Sequence, residues 1–169
     1  MIRAGDVTVA CPLFQEERGG PIPTSALAFR IEGIEPDVAF ELNRRWHSTL
    51  PRFGVGCVKE KRRRFTCFGV VHDGTIYGVA IWSKPAARLL PQDGTCLELR
   101  RMALGPQCPH NMASRMLRIM VILLRKSHPL AKRLVSLQDL DAHKGTIYKA
   151  AGWIAVNVTK FSEWDRPNR

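Results

Sequence analysis

The sequence lacks the marks of a membrane or secreted protein. No stretch approaches the roughly 20 consecutive apolar residues of a membrane span. The start, Met1-Ile-Arg-Ala-Gly-Asp6, has no charged segment followed by an apolar run. Five cysteines (Cys11, Cys57, Cys67, Cys96 and Cys108) form no C-x-x-C pair, and an odd number cannot close into a complete disulfide framework. Internal repeats, low-complexity tracts and any compact metal-ligand motif are also missing. These absences point to a soluble, cytosolic protein with reduced thiols and no membrane partner. Cys67 and Cys96 fall in apolar patterns and are expected in the core, whereas Cys108 lies in a loop and is the candidate for exposure.

Negative charge is scarce as well. Against 26 Lys+Arg there are 15 Asp+Glu, a formal net charge of +11. A basic domain attracts polyanions through counterion release, whatever its chemistry. Its densest basic run, Lys59, Lys61, Arg62, Arg63 and Arg64, is the expected nucleic-acid footprint. The same run also reads as a solvated loop entering a strand, and GC-rich codon usage is a further source of arginine.

What is present suffices for one domain: 169 residues, 45% of them hydrophobic. Residues 1–24, rich in Pro and Gly, read as an irregular arm. Residues 26–34 read as a first strand. Glu35-Pro36-Asp37 then opens a helix in which Val38, Leu42 and Trp46 recur every four residues, with Trp46 as a core anchor. Two strands, 64–71 and 76–83, flank Asp73-Gly74, the strongest short hairpin signal. A loop at 84–94 leads to a strand at 95–104. An amphipathic helix follows at 111–126, then a short buried strand at 133–137, a helix of about two turns at 145–151 and a last strand at 154–161. The order β-α, β-β, β-α-β-α-β is that of an α/β domain with a mixed sheet (α+β).

Three places carry chemistry. Just beyond the strand at 133–137 stand Gln138, Asp139, Asp141 and His143, and polar groups at the carboxyl end of a strand mark a site. Tyr148 follows on the short helix, which Gly152 ends. Second, a loop and a helix start near Asn111 place free backbone N–H groups where an anion binds. There Ser114 either contacts a phosphate or caps the helix, and Arg115 is a weaker phosphate candidate. Third, Glu98 and Arg101, three apart in a strand, are expected on opposite faces. Arg101 is either a site residue or half of a structural pair with Asp139. His47 falls at a helix end, where a histidine is commonly structural.

The run Tyr148-Lys-Ala-Ala-Gly-Trp153 resembles the Tyr-x-x-x-Gly-aromatic helix of the GNAT acyltransferase superfamily. That resemblance implies a GNAT-like fold, its central mixed sheet splayed between the fourth and fifth strands, with Tyr148 protonating the departing coenzyme A thiolate. It also implies acetyl-CoA or a related acyl-CoA held by the backbone of Met102, Ala103 and Leu104 and by Asn111, Ser114 and Arg115. Part of the excess positive charge would then serve this anionic cofactor. The usual phosphate loop, Arg/Gln-x-x-Gly-x-Gly/Ala, is replaced by Gly105-Pro-Gln-Cys-Pro-His-Asn111, so the glycines that allow close backbone approach are missing.

A narrower resemblance, over residues 38–157, is to the Mom-type branch of GNAT-like phage and prophage proteins. It rests on Val135-Ser136, Asp139 and His143-Lys-Gly-Thr-Ile-Tyr-Lys-Ala150, on Asn111-x-x-Ser114, on Glu98-x-x-Arg101, and on His47 with Ser48 and Pro51. That branch installs an acyl-derived group on the exocyclic amine of adenine in DNA. The resemblance implies a duplex DNA partner, with Arg101, Asp139 and His47 orienting and deprotonating the amine. His47, Asp139 and Asp141 are chemically able to bind iron. The alternatives are a conventional GNAT acetyltransferase acting on a protein or small amine, and a GNAT scaffold that only binds nucleic acid.

Overall fold

The computed structural model describes residues 22–47, 65–138 and 144–156. A single sheet of five strands in the order β1-β2-β3-β4-β5 forms the frame. Its strands are β1 Arg30–Gly33, β2 Thr66–His72, β3 Thr75–Ser83, β4 Cys96–Leu104 and β5 Arg133–Ser136. The first four are antiparallel neighbours, and β4 pairs with β5 in parallel. The helices are α1 Pro36–Trp46, α2 Met112–Ser127 and α3 Thr146–Ala150. A parallel pair needs a crossover, and α2 supplies it between β4 and β5.

Both faces of the sheet are covered. On one, Phe68, Val70, Ala80, Trp82, Leu97 and Leu99 pack against Met112, Met116, Leu117, Met120 and Leu124 of α2. On the other, Cys67, Val71, Val79, Ile81 and Ala103 meet Val38, Ala39 and Leu42 of α1, with Trp46 partly buried beside them. Strand β3 lies between and is buried along its whole length. The Trp82 ring is the largest fully buried side chain, and its Nε1–H donates to the Met120 sulfur at 3.2 Å, so the indole nitrogen is satisfied within the core. Asp73 and Gly74 both take positive φ, 46° and 75°, as a two-residue hairpin turn of the mirror-image type demands.

Several sequence expectations need correction. The first strand begins at Arg30 rather than Ala26, because Ala26–Ala28 form a 3-10 turn capped by the Ser25 hydroxyl, which accepts from Leu27 N–H. Strand β5 ends at Ser136 and is half-buried rather than core, and Leu137 beyond it is exposed. The last strand is not seen where it is described: Ile154 and Val156 are exposed and lie outside any strand. Helix α3 is five residues, shorter than two turns. Cys108 is half-buried against the α2 face, and burial pushes its thiol up to about 12. Cys67 and Cys96 are buried, as their apolar surroundings predict. The N-terminal arm to residue 21 and the basic run of Lys59, Lys61, Arg62, Arg63 and Arg64 lie outside the described residues.

Candidate active site at the fork of the sheet

The unequal lengths of β4 and β5 make the site. Their pairing runs Cys96↔Arg133, Leu97↔Leu134, Glu98↔Val135 and Leu99↔Ser136, and there it stops. Strand β4 continues to Leu104 with β3 as its only partner among the described residues. Backbone groups of Met102, Ala103 and Leu104 that would bind a fifth strand therefore face the opening of a fork. Such an edge can take an extended ligand arm by main-chain hydrogen bonds.

Close to the same point β4 is bulged. Ile81 pairs with Arg101 and Trp82 with Leu99, which leaves Arg100 as the extra residue. One inserted residue reverses the alternation of faces. Leu97 and Leu99 face α2, while Arg101, opposite Ile81, faces the α1 side together with Glu98. The expectation that Glu98 and Arg101 lie on opposite faces is thus overturned by the bulge. Buried Glu98 accepts from Ala86 N–H at 2.7 Å, and its other oxygen lies 3.3 Å from Arg100 Nε. Arg101 Nη1–H donates to the Arg100 carbonyl at 2.6 Å. Burial lowers the Arg101 pKa, and the neighbouring Arg100 charge adds to that, but a guanidinium starts so high that it stays charged.

Tyr148 closes the fork from the α2 side. Leu99 faces α2, so its parallel neighbour Ser136 does too, and the Ser136 Oγ and the Tyr148 phenol oxygen share a hydrogen bond of 2.7 Å. Burial raises the Tyr148 pKa, and the bond from Ser136 lowers it in part. The glycines around the tyrosine have distinct jobs. Gly145 enters the helix at φ 71°, and a Cβ there would meet Gln138 Oε1 at 3.0 Å. Gly152 ends the helix at φ 82°, which turns Trp153 back so that its N–H donates to the Tyr148 carbonyl at 2.9 Å. The Trp153 ring then lies edge-on to Tyr148 at 5.6 Å and near Trp82 at 6.2 Å. The Tyr-x-x-x-Gly-aromatic spacing is therefore a cap that fixes the phenol against the core.

The start of α2 leaves backbone amides open without the usual glycines. Asn111 takes the left-handed conformation, φ 63°, which asparagine tolerates better than most residues. Met112 N–H is bonded to the Pro109 carbonyl, and Arg115 N–H to that of Asn111. Between them the amides of Ala113 and Ser114 have no partner among the described residues, nor does the Asn111 side chain cap them. Two free N–H groups at the positive end of a 16-residue helix suit a pyrophosphate. The Ser114 hydroxyl donates to the Asn111 carbonyl at 3.0 Å, and Arg115 Nη1–H donates to the Phe29 carbonyl at 3.0 Å, tying α2 to the start of the sheet.

His47 stands at the C-terminal cap of α1, its backbone N–H bonded to the Asn43 carbonyl at 2.9 Å. Asp139, Asp141 and His143 fall outside the described residues. Among the described residues no group of three or more His, Cys, Asp or Glu is placed to hold a metal ion, and nothing in the structure supports the iron expectation. No helix among them is long and apolar enough to cross a membrane. Tyr148 and Arg101 therefore approach the fork from opposite faces of the sheet. Sequence reasoning uses Ser136 only within the Mom-type resemblance and gives it no role, because its contact with the phenol appears only once the fold sets the two together.

Comparison with solved structures places this fold. The aminoglycoside acetyltransferase AAC(6')-Iy, in complex with a bisubstrate analogue, CoA-S-monomethyl-acetylneamine, superposes with a TM-score of 0.56 at 13% identity, over 80% of this chain and 97% of its own. An aminoglycoside acetyltransferase from an uncultured soil metagenomic sample, in complex with sisomicin, gives 0.56 at 9% identity, over 80% and 95%. A GNAT family acetyltransferase of Staphylococcus aureus gives 0.51 at 9%, over 80% and 98%. No curated protein matches the sequence. The fold is that of the GNAT acetyltransferases, and the match of residues 28–167 to the model of the Mom protein family shows that the chain belongs to that family.

Proposed function

We propose that this protein is an acyl-CoA-using transferase that modifies the exocyclic amine of adenine in duplex DNA. The observation that carries the reading is the fork: an open β4 edge, two free amides at the start of α2, and a buried phenol held at the apex by Ser136. Met102, Ala103 and Leu104 would hold an extended arm through their backbone, and the amides of Ala113 and Ser114 would hold its phosphates. Acyl-CoA would supply there an activated acyl group and a thiolate in need of a proton.

The chain's own part is positioning and proton handling. Tyr148 Oη keeps its proton through the neutral range, because burial raises its pKa, and can donate it on the α2 side of the fork. Arg101 brings a positive charge to the α1 side, where it can orient the acceptor and a carboxylate that takes the amine proton. Asp139 is proposed as that carboxylate and His47 as an additional base or ligand. Separate faces for leaving group and acceptor suit a transfer made through the fork. Adenine inside a duplex would have to be flipped from the stack to reach it.

Thermal shift with acetyl-CoA and with duplex DNA tests the reading, because a ligand that binds only the folded state stabilises it by about 2.7 kcal/mol at a hundredfold excess over Kd. Both should raise Tm. Stabilisation by acetyl-CoA alone would favour a conventional acetyltransferase, and by DNA alone a binding scaffold.

A further inference from the structure

We infer that the outer surface of the α2/α3 layer is a docking face for the phosphate backbone of duplex DNA; this rests on the proposed DNA partner and locates where it docks. From residue 99 to residue 138 the sequence has eight Lys/Arg and no Asp/Glu. Helix α2 buries Met112, Met116, Leu117, Met120 and Leu124, which turns Arg118, Ile122 and Arg125 outward. Arg118 and Arg125 are two turns apart on the same side, about 10 Å along the axis. Lys126 follows Arg125 on α2 and is exposed, as are Lys132 beyond the helix and Lys149 on α3, which packs beside α2.

The contrast with α1 shows what is unusual. Its exposed Arg44 and Arg45 are both paired with Glu41 at 2.9 and 3.0 Å, the ordinary way a helix neutralises its surface. Arg118, Arg125, Lys126, Lys132 and Lys149 have no carboxylate within ion-pair distance among the described residues. Self-repulsion of such a face is relieved by a polyanion. The face holds no exposed aromatic ring, so it lacks the stacking platform that single strands require. The two exposed large apolar residues between Arg118 and Lys132, Ile122 and Leu130, are also too little apolar surface for membrane insertion. Cations without rings, two of them held two turns apart on one helix, fit phosphates along a duplex, contacts that fix position without reading sequence.

The test is fluorescence anisotropy of a labelled duplex against salt concentration, with the full chain and the triple variant Arg118→Gln, Arg125→Gln, Lys126→Gln. Glutamine keeps helix propensity, and unchanged Tm and acetyl-CoA thermal shift would show that the fold survives. The variant should bind about tenfold or more weakly at low salt, with a log–log salt slope smaller by about 0.9 for each phosphate that is no longer neutralised. The control pair Arg44→Gln, Arg45→Gln should leave the slope unchanged. Wild-type binding to duplex with an unaltered slope in the triple variant would overturn this face alone. Wild-type protein that ignores duplex DNA would overturn the DNA reading too. Equal affinity for single strands, or for phosphatidylserine vesicles, abolished in the variant would assign the face to a different partner and overturn the proposal.

Discussion

The phenol oxygen of Tyr148 lies 2.7 Å from the Ser136 hydroxyl, which joins α3 to the last residue of β5 at the point where β4 and β5 part. Burial raises the Tyr148 pKa above the ordinary ~10, while the Ser136 bond favours the phenolate. A folded-state pKa above the unfolded one means stability present below pH ~10 and lost as pH rises through the folded value. The chain has two tyrosines, so ultraviolet titration of a Tyr77→Phe background reports Tyr148 alone. Ser136→Ala should move that titration to higher pH, and Tyr148→Phe should abolish it.

Tyr148→Phe should leave Tm and the acetyl-CoA thermal shift nearly unchanged and lower kcat by about 10²–10⁴, the usual contribution of a positioned acid. Parallel loss of cofactor binding would make the tyrosine a packing residue.

At the start of α2, Ser114→Glu should have effects of opposite sign. A carboxylate beside the first-turn amides stabilises the helix by about 0.3–1 kcal/mol, yet it repels a pyrophosphate aimed at the same amides. Chemical denaturation should show equal or higher stability, and the acetyl-CoA thermal shift should vanish. A retained shift would move the cofactor away from α2.

Gly105 follows β4 and donates its N–H to the Tyr77 carbonyl at 2.8 Å. A Cβ there would meet that carbonyl at 3.1 Å and the Trp46 ring at 3.2 Å. Gly105→Ala should cost about 1–3 kcal/mol, because a core indole or a strand must shift to accommodate it. Urea denaturation measures this directly.

Much of the fold is legible in the sequence because its signals are local. Asp73-Gly74 specifies the hairpin, and the Met116, Leu117, Met120, Leu124 stripe specifies the buried face of α2. Misreadings arise where a local rule meets a non-local one. Alternation places Glu98 and Arg101 on opposite faces, but the Arg100 bulge, visible only in the register with β3, brings them together. Residues 26–28 are apolar enough for a strand, yet the Ser25 cap closes a turn there. The missing loop glycines are legible in the sequence, whereas the left-handed Asn111 at the start of α2 shows only in the structure. Tyr148 is legible from its motif, and the Ser136 contact with it only from the geometry.

The most direct test of the whole account is mass spectrometry of nucleosides from DNA of cells expressing the protein or its Tyr148→Phe variant. A new deoxyadenosine of increased mass should appear with the wild type and be strongly reduced with the variant. Unmodified deoxyadenosine in both, from cells where the wild-type protein is folded and binds acetyl-CoA, would contradict it.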